Sequence, residues 1–182
     1  MESKVAVVIL NWNGEKMLRR FLPGIITHTK GKVYVADNHS DDDSLKLLAD
    51  EFPSVPTIVL DKNYGFAEGY NKALSQVDAD YYVLLNSDIE VEDDWLTPLV
   101  DYMDAHPEIA ACQPKIRSFH NKQYFEYAGA AGGYIDNLGY PFCRGRIFDS
   151  VEKDEGQYDA IRSVFWATGA AMMVRRDVYF AV

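Results

Sequence analysis

Six apolar residues in a row, Val5-Ala6-Val7-Val8-Ile9-Leu10, constrain this chain more than any other feature. An unbroken run of that length reads as a strand covered on both faces, because a strand with one wet face alternates polar and apolar residues. Comparable apolar runs return at residues 33–36, 57–60 and 81–85. Between them the apolar positions change to helical spacing: Leu18, Phe21, Leu22, Ile25 and Ile26, then Leu45, Leu48 and Phe52, then Phe66, Tyr70, Leu74 and Val77. Trp95, Leu96, Leu99 and Met103 mark a further helix that closes before Pro107. Pro23 is expected to kink or split the first helix. Ser40, followed by Asp41, Asp42 and Asp43, is expected to cap the second and give it an acidic first turn. Strand and helix in this alternation predict an α/β fold with a mostly parallel sheet between helices. Ligands in such sheets bind at the carboxyl ends of the strands. The polar loops at residues 11–14, 37–44, 61–65 and 86–90 are therefore expected to open onto one rim.

After Pro114 the rhythm breaks. Gly129, Gly132, Gly133 and Gly139, with Tyr134, Tyr140 and Phe142, suggest short strands and exposed loops. Residues 162–165 and 170–174 read as strands around a turn at Thr168-Gly169, and the acidic stretch 149–159 as a solvated loop. At 182 residues the chain fits a single domain with a core of ordinary size. Eighteen Lys and Arg against 28 Asp and Glu leave a net charge of −10, which argues against binding a phosphate backbone or docking on anionic lipid. Cys112 and Cys143 are too few for a disulfide framework and are expected to be reduced in a cytosolic protein. The polar start at residues 1–4 runs straight into a strand, with no signal peptide expected ahead of it. The longest apolar stretch, residues 165–174, is about half of the ~20 residues that span a membrane.

Three places carry candidate chemistry. Asp88 closes Asn86-Ser87-Asp88 at the end of an apolar strand, where a carboxylate can hold Mg²⁺ or Mn²⁺ against substrate phosphates; it could equally cap a turn. Asp37 ends the second strand and could accept a hydrogen bond from a nucleobase N–H or cap the next helix. Asn63-Tyr64-Gly65-Phe66, with Gly69 and Asn71, brings glycines and amides to the start of a helix, where backbone can approach a phosphate closely. An ordinary turn would look the same.

Order and spacing narrow these readings. Val-Val-Ile-Leu-Asn-Trp-Asn-Gly at 7–14, Asp37-Asn38-His39-Ser40, the Asn63 to Asn71 segment, Leu-Leu-Asn-Ser-Asp at 84–88 and Trp166-Ala-Thr-Gly-Ala-Ala-Met-Met-Val-Arg-Arg176 together resemble family-2 inverting glycosyltransferases, nearest their rhamnosyltransferase-like branch. The resemblance implies the GT-A-type nucleotide-diphospho-sugar transferase fold, with residues 1–113 as the nucleotide-binding half and 114–182 as the start of an acceptor-side half. It implies that Asn11 and Asp37 contact the nucleoside, that Asn63, Gly65, Phe66 and Asn71 lie along the donor, and that Asn86 belongs to the same site. Asp88 is the implied metal ligand, since Asn86 stands where the family's D-x-D has its first carboxylate. Trp166 and Gly169 would lie near the transferred sugar, although Trp166 reads equally well as core.

The implied reaction moves a sugar from a dTDP- or UDP-sugar to a saccharide or lipid-linked acceptor, in cell-surface polysaccharide synthesis. It implies a cytoplasmic protein, at the inner face of the plasma membrane or peripherally attached to it. In the family a general base follows the Trp166 block, and the chain is expected to stop short of it. The alternative is a non-catalytic nucleotide-sugar-binding module. A dinucleotide-dependent oxidoreductase would need a G-x-G-x-x-G after the first strand, where only Gly14 stands. A sugar-nucleotide pyrophosphorylase would need a basic glycine-rich loop there.

Overall fold

The computed structural model describes residues 4–128 and 131–182, so Gly129 of the glycine pattern and residues 1–3 of the polar start lie outside the described residues. It divides into two units, one of residues 1–111 and 169–182, the other of residues 112–168.

The first unit realises the strand–helix alternation. β1 (Val5–Asn11), α1 (Glu15–His28), β2 (Lys32–Asp37), α2 (Ser44–Glu51), β3 (Thr57–Val59), α3 (Gly65–Leu74), β4 (Tyr81–Asn86) and α4 (Thr97–Ala105) follow one another. β5 (Ala111–Cys112) begins at this unit's last residue before the chain leaves it; β10 (Ala171–Arg175) and the short α5 (Arg176–Tyr179) follow on its return. The strand order is β3-β2-β1-β4-β10-β5. β1, β2, β3 and β4 are parallel, whereas β10 runs antiparallel to β4. The chain thus winds outward from β1 through β2 to β3, then crosses back to set β4 on the other side of β1. That reversal opens a crevice at the carboxyl ends of β1 and β4.

Packing explains the apolar runs. Val5, Ala6, Val7, Val8 and Ile9 are each at most 1% exposed. Successive side chains alternate faces, and Ala6 and Val8 join Tyr70, Ala73 and Leu74 of α3 with Tyr82 and Leu84 of β4 in one core. α1 turns Leu18, Phe21, Leu22 and Ile25 inward and leaves Ile26 exposed. Pro23 neither splits nor ends it: α1 is continuous through residue 23, on the exposed side. Water can there hydrate the Arg19 carbonyl that a proline cannot serve, which reduces the usual cost of about 3 kcal/mol. α2 buries Leu47 and Leu48 while Leu45 is exposed, so its buried face is rotated from the one the spacing suggests.

Ser40 does not cap α2. Asp43 takes the N-cap position without a side-chain cap bond, and the first turn holds no acid. The capping group is Asp42, which accepts the Ser44 N–H at 3.0 Å and the Glu15 N–H at 2.9 Å. One carboxylate thereby serves the starts of both α2 and α1. Burial pushes this carboxyl up, yet the hydrogen bonds from Ser44 and the Glu15 amide hold it below the usual carboxylate range. At the far end Arg175 of β10 donates to the carbonyls of Met103, His106 at 3.0 Å and Ile109 at 2.8 Å, satisfying the end of α4.

The second unit carries a small antiparallel sheet in the order β6 (Gly133–Ile135), β7 (Pro141–Cys143), β8 (Arg146–Ile147) and β9 (Ser150–Val151). Its core is Phe125 with Ala131, flanked by Val151 and Tyr158. Residues 162–165 do not form a strand; the ladder contact is instead a single bridge between Gly133 and Trp166. The acidic stretch is not wholly loop, since β9 and the Tyr124–Lys153 bridge run through it. Among the described residues no helix is long and apolar enough to cross a membrane.

Candidate functional site

The carboxyl rim of the first unit is built on Asn11 and Asp37, the last residues of β1 and β2, which are register partners. Both side chains are fully buried. Asn11 Nδ2 donates to Asp37 Oδ2 at 3.0 Å and to Ser40 Oγ at 3.2 Å. Asp37 also accepts the Ser40 N–H at 2.9 Å and the Ser40 hydroxyl at 2.7 Å. A carboxylate offers about four acceptor positions, so this one keeps capacity for a further donor. Ser40 Oγ accepts the Asn13 N–H at 2.9 Å, and Asn13 Oδ1 accepts the Asp41 N–H at 2.7 Å. The loops after β1 and β2 are thus laced together, and each holds a non-glycine residue at positive φ, Asn13 at 50° and His39 at 65°. Such backbone is costly and persists where surrounding bonds impose it.

The loop before α3 joins through Asn38. Its Nδ2 donates to Asn63 Oδ1 and to the Gly65 carbonyl, each at 3.0 Å, and its Oδ1 accepts the Tyr64 N–H at 2.9 Å. Gly65 has φ +72° with open space around a would-be Cβ, so backbone conformation rather than crowding calls for glycine here. Gly69 is the reverse case, since a Cβ there would meet Leu10 at 3.0 Å and Asn38 Nδ2 at 3.2 Å. The loop after β4 approaches at Ser87: a Cβ on Gly14 would lie 3.7 Å from Ser87 Oγ and only 2.2 Å from Asn11 Oδ1. All four expected loops therefore meet on one rim.

One atom of this network is unsatisfied. Asn11 Oδ1 is buried with no hydrogen-bond partner among the described residues. Stranding a buried acceptor costs about 1–3 kcal/mol.

The remaining candidates are distributed as follows. Phe66 is 53% exposed at the start of α3, its ring edge-on to Tyr70 at 5.0 Å between centroids. Burial pushes the Tyr70 phenol well up; it donates to the Leu85 carbonyl at 3.1 Å. A Cβ on Gly169 would lie 3.1 Å from the Phe66 ring, so these two candidates pack together. Asn71 lies further along α3 and accepts the Tyr179 hydroxyl at 2.5 Å. Asn86 ends β4, its N–H donating to the Ala170 carbonyl at 3.0 Å and its carbonyl accepting the Ile89 N–H at 3.4 Å. Asp88 lies exposed in that turn. No group of three or more His, Cys, Asp or Glu side chains among the described residues forms a metal cage. A single exposed carboxylate suits Mg²⁺ or Mn²⁺, which take one or two carboxylates and complete their shell with phosphate oxygens and water.

Trp166 belongs to the second unit. A Cβ on Gly133 would fall 1.8 Å from the indole, so the ring lies against the glycine backbone, and Gly133 N donates to the Trp166 carbonyl at 3.2 Å.

Two contributors escaped the sequence reading. Trp12 is 58% exposed between Asn11 and Asn13, presenting an indole at the rim; a large aromatic between two asparagines in a loop was the available signal. Asn38 was legible only as part of a motif.

A family profile described as Glycosyl transferase family 2 matches residues 6–179. N-acetylglucosaminyl-diphospho-decaprenol L-rhamnosyltransferase of Mycobacterium tuberculosis, in two strains, is 24% identical over 196 residues, covering 98% of this chain. The chain spans 64% of the length of these curated relatives. Among solved structures, mannosyltransferase PcManGT from Pyrobaculum calidifontis, in complex with GDP-Man and Mn²⁺, has a TM-score of 0.55 at 21% identity, covering 64% of this chain and 36% of that one. S. aureus TarS 1-349 in complex with UDP gives 0.54 at 21% identity, with 63% and 36% covered. At this identity the likeness shows the fold, and that fold is the GT-A type that the resemblance implied.

Proposed function

Because the chain belongs to glycosyl transferase family 2, we propose that the rim of its first unit binds a nucleoside-diphosphate sugar. The whole protein would transfer that sugar with inversion to a saccharide or lipid-linked acceptor in cell-surface polysaccharide synthesis. The observation that carries the reading is the orphaned Asn11 Oδ1. A costly unpaired acceptor beside an Asp37 carboxylate with capacity to spare suits a ligand that brings its own N–H or O–H donors.

Each candidate then takes a role. Asp37 accepts the N–H of a uracil or thymine imide, whose edge displaces the Ser40 hydroxyl. Asn11 contacts the nucleoside, with Trp12 as a stacking face. Asn63, Gly65, Phe66 and Asn71 lie along the donor, and the start of α3 meets the diphosphate. Asn86, Trp166 and Gly169 complete the donor site on the sugar side. Asp88 would hold Mg²⁺ or Mn²⁺ together with the donor's phosphate oxygens. When bound, such an ion offsets negative charge that grows on the departing diphosphate. In the transfer the acceptor oxygen forms a bond to the anomeric carbon as the bond to the diphosphate breaks. The hydroxyl proton passes to a carboxylate base, which the family places after the Trp166 block, beyond Val182. Lipid-linked acceptors, as in the name of the mycobacterial relatives, would bring the whole protein to the inner face of the plasma membrane, where we place it as a cytoplasmic peripheral protein.

The test is a calorimetric panel of UDP, dTDP and GDP and their sugars, with and without Mn²⁺. Micromolar binding of one base, strengthened by the ion, is expected. Failure of every nucleotide to bind would sink the reading.

A further inference from the structure

Asn38 is the one residue that touches three of the four rim loops. Its backbone N–H donates to the Asn11 carbonyl at 2.7 Å, at the end of β1. It follows Asp37 directly, so it moves with the group proposed to read the base. Its buried carboxamide, 3% exposed, spends both ends on the turn into α3: Nδ2 on Asn63 Oδ1 and the Gly65 carbonyl, Oδ1 on the Tyr64 N–H. Asn63 Oδ1 in turn accepts the Gly65 N–H at 2.8 Å. The turn is otherwise poorly held: Asn63 and Gly65 are exposed, Gly65 is at positive φ, and the N-cap residue Tyr64 makes no side-chain cap bond. Gly69 lets the helix come close enough for these contacts, with its would-be Cβ 3.2 Å from Asn38 Nδ2.

We infer that Asn38 is a positioning residue that fixes the distance between base recognition at Asp37 and diphosphate recognition at the start of α3. The inference rests on the donor-binding reading above. A nucleoside diphosphate spans both places, whereas a nucleoside uses only the first. Loss of the Asn38 carboxamide should therefore weaken the diphosphate selectively, because its binding must then also order the loosened turn. A residue that merely stabilised the fold would weaken both ligands alike.

The experiment titrates the 182-residue chain, Asn38→Ala and Asn38→Asp with the tightest diphosphate among UDP, dTDP and GDP, and with its parent nucleoside. Asn38→Asp keeps size and the acceptor for Tyr64 N–H, but sets a carboxylate against the Asn63 and Gly65 oxygens, so it tests the clamp even where the alanine variant folds poorly. Expected is about a tenfold loss for the diphosphate in each variant, the scale of one or two hydrogen bonds, against less than about threefold for the nucleoside. Amide exchange at Gly65 should quicken in both variants and at Tyr64 most in Asn38→Ala. Equal loss of the two ligands, or unchanged exchange at these amides, overturns the positioning role alone. A wild-type chain that binds neither ligand overturns the donor-binding reading, and this inference with it.

Discussion

The two units of this protein hold themselves together by different means. The first has a deep apolar core, in which Tyr70, Tyr82, Ile9, Leu18, Leu22 and Leu85 are all less than 2% exposed. Its charge is one-sided, with 11 Lys and Arg against 21 Asp and Glu, whereas the second unit balances seven against seven. The second has a core of little more than Phe125 and Ala131, and exposes Leu138, Tyr140, Ile147 and Phe148. Its order comes from backbone packed on rings: Gly133 under Trp166, and Gly145 with a would-be Cβ 2.7 Å from Phe125. A deep core lets the first unit carry a polar, partly unsatisfied rim. The second has no such reserve, and single glycines there should matter as much as whole side chains do in the first.

The largest effect should come from a residue that holds nothing together. Asp88 is exposed, so Asp88→Ala should leave melting unchanged while removing the gain in nucleoside diphosphate affinity that Mg²⁺ or Mn²⁺ confers. In the whole enzyme it should lower the transfer rate about a hundredfold or more. Calorimetry finding the same metal-dependent gain in the variant would take Asp88 out of the site.

Gly133→Ala is the converse, a structural lesion in the second unit. Its methyl would fall on the indole, and overpacking of this kind should cost about 3 kcal/mol. Amides at residues 131–135 and 164–166 should exchange faster while those of β1 and β4 keep their protection. Uniform loss of protection in both units would mean that they unfold as one, and the contrast drawn above would fail.

Asp37→Ala should weaken nucleoside diphosphate binding by about 1–3 kcal/mol, the cost of a lost charged hydrogen bond. It should spare inorganic pyrophosphate. Equal weakening of both ligands would return Asp37 to a purely structural role, holding Asn11 and Ser40.

The smallest effect is electrostatic and belongs to the second unit. Lys115 bonds Asp154 at 2.8 Å and Asp159 at 2.5 Å, with Asp154 only 10% exposed. Burial pushes the Asp154 carboxyl up, but the Lys115 ammonium and the Gly156 N–H hold it below the usual range. A depressed carboxyl adds stability above its unfolded value, about 3.9, and loses it as pH falls through the lower folded value. Lys115→Met should therefore cost about 1 kcal/mol near pH 7 and progressively less below about pH 4. Melting curves offset equally at every pH would show that packing, not charge, holds this corner.

Much of the first unit was legible in the chain. Residues 5–10 could only be a doubly covered strand, and the rim loops follow from strands that end in Asn11, Asp37 and Asn86. The family followed from the order of five blocks. These signals are local: periodicity and turn chemistry reflect neighbours within a few residues, so the sequence by itself determined the elements, their alternation and the loops that form the rim. Tertiary structure alone decided which groups meet. Asp42 caps α1 across 27 positions, Asn38 clamps a turn 25 positions away, and Arg175 closes α4 from 66 positions on. Trp166 finds Gly133 in the same way, where local reading offered only a loop glycine and an aromatic of uncertain place. Each contact depends on strand order and helix docking. A cap written at Ser40 was lost because the buried Asp37 carboxylate claims both the N–H and the hydroxyl of that serine, and a buried charge outbids an exposed helix end for the same donor.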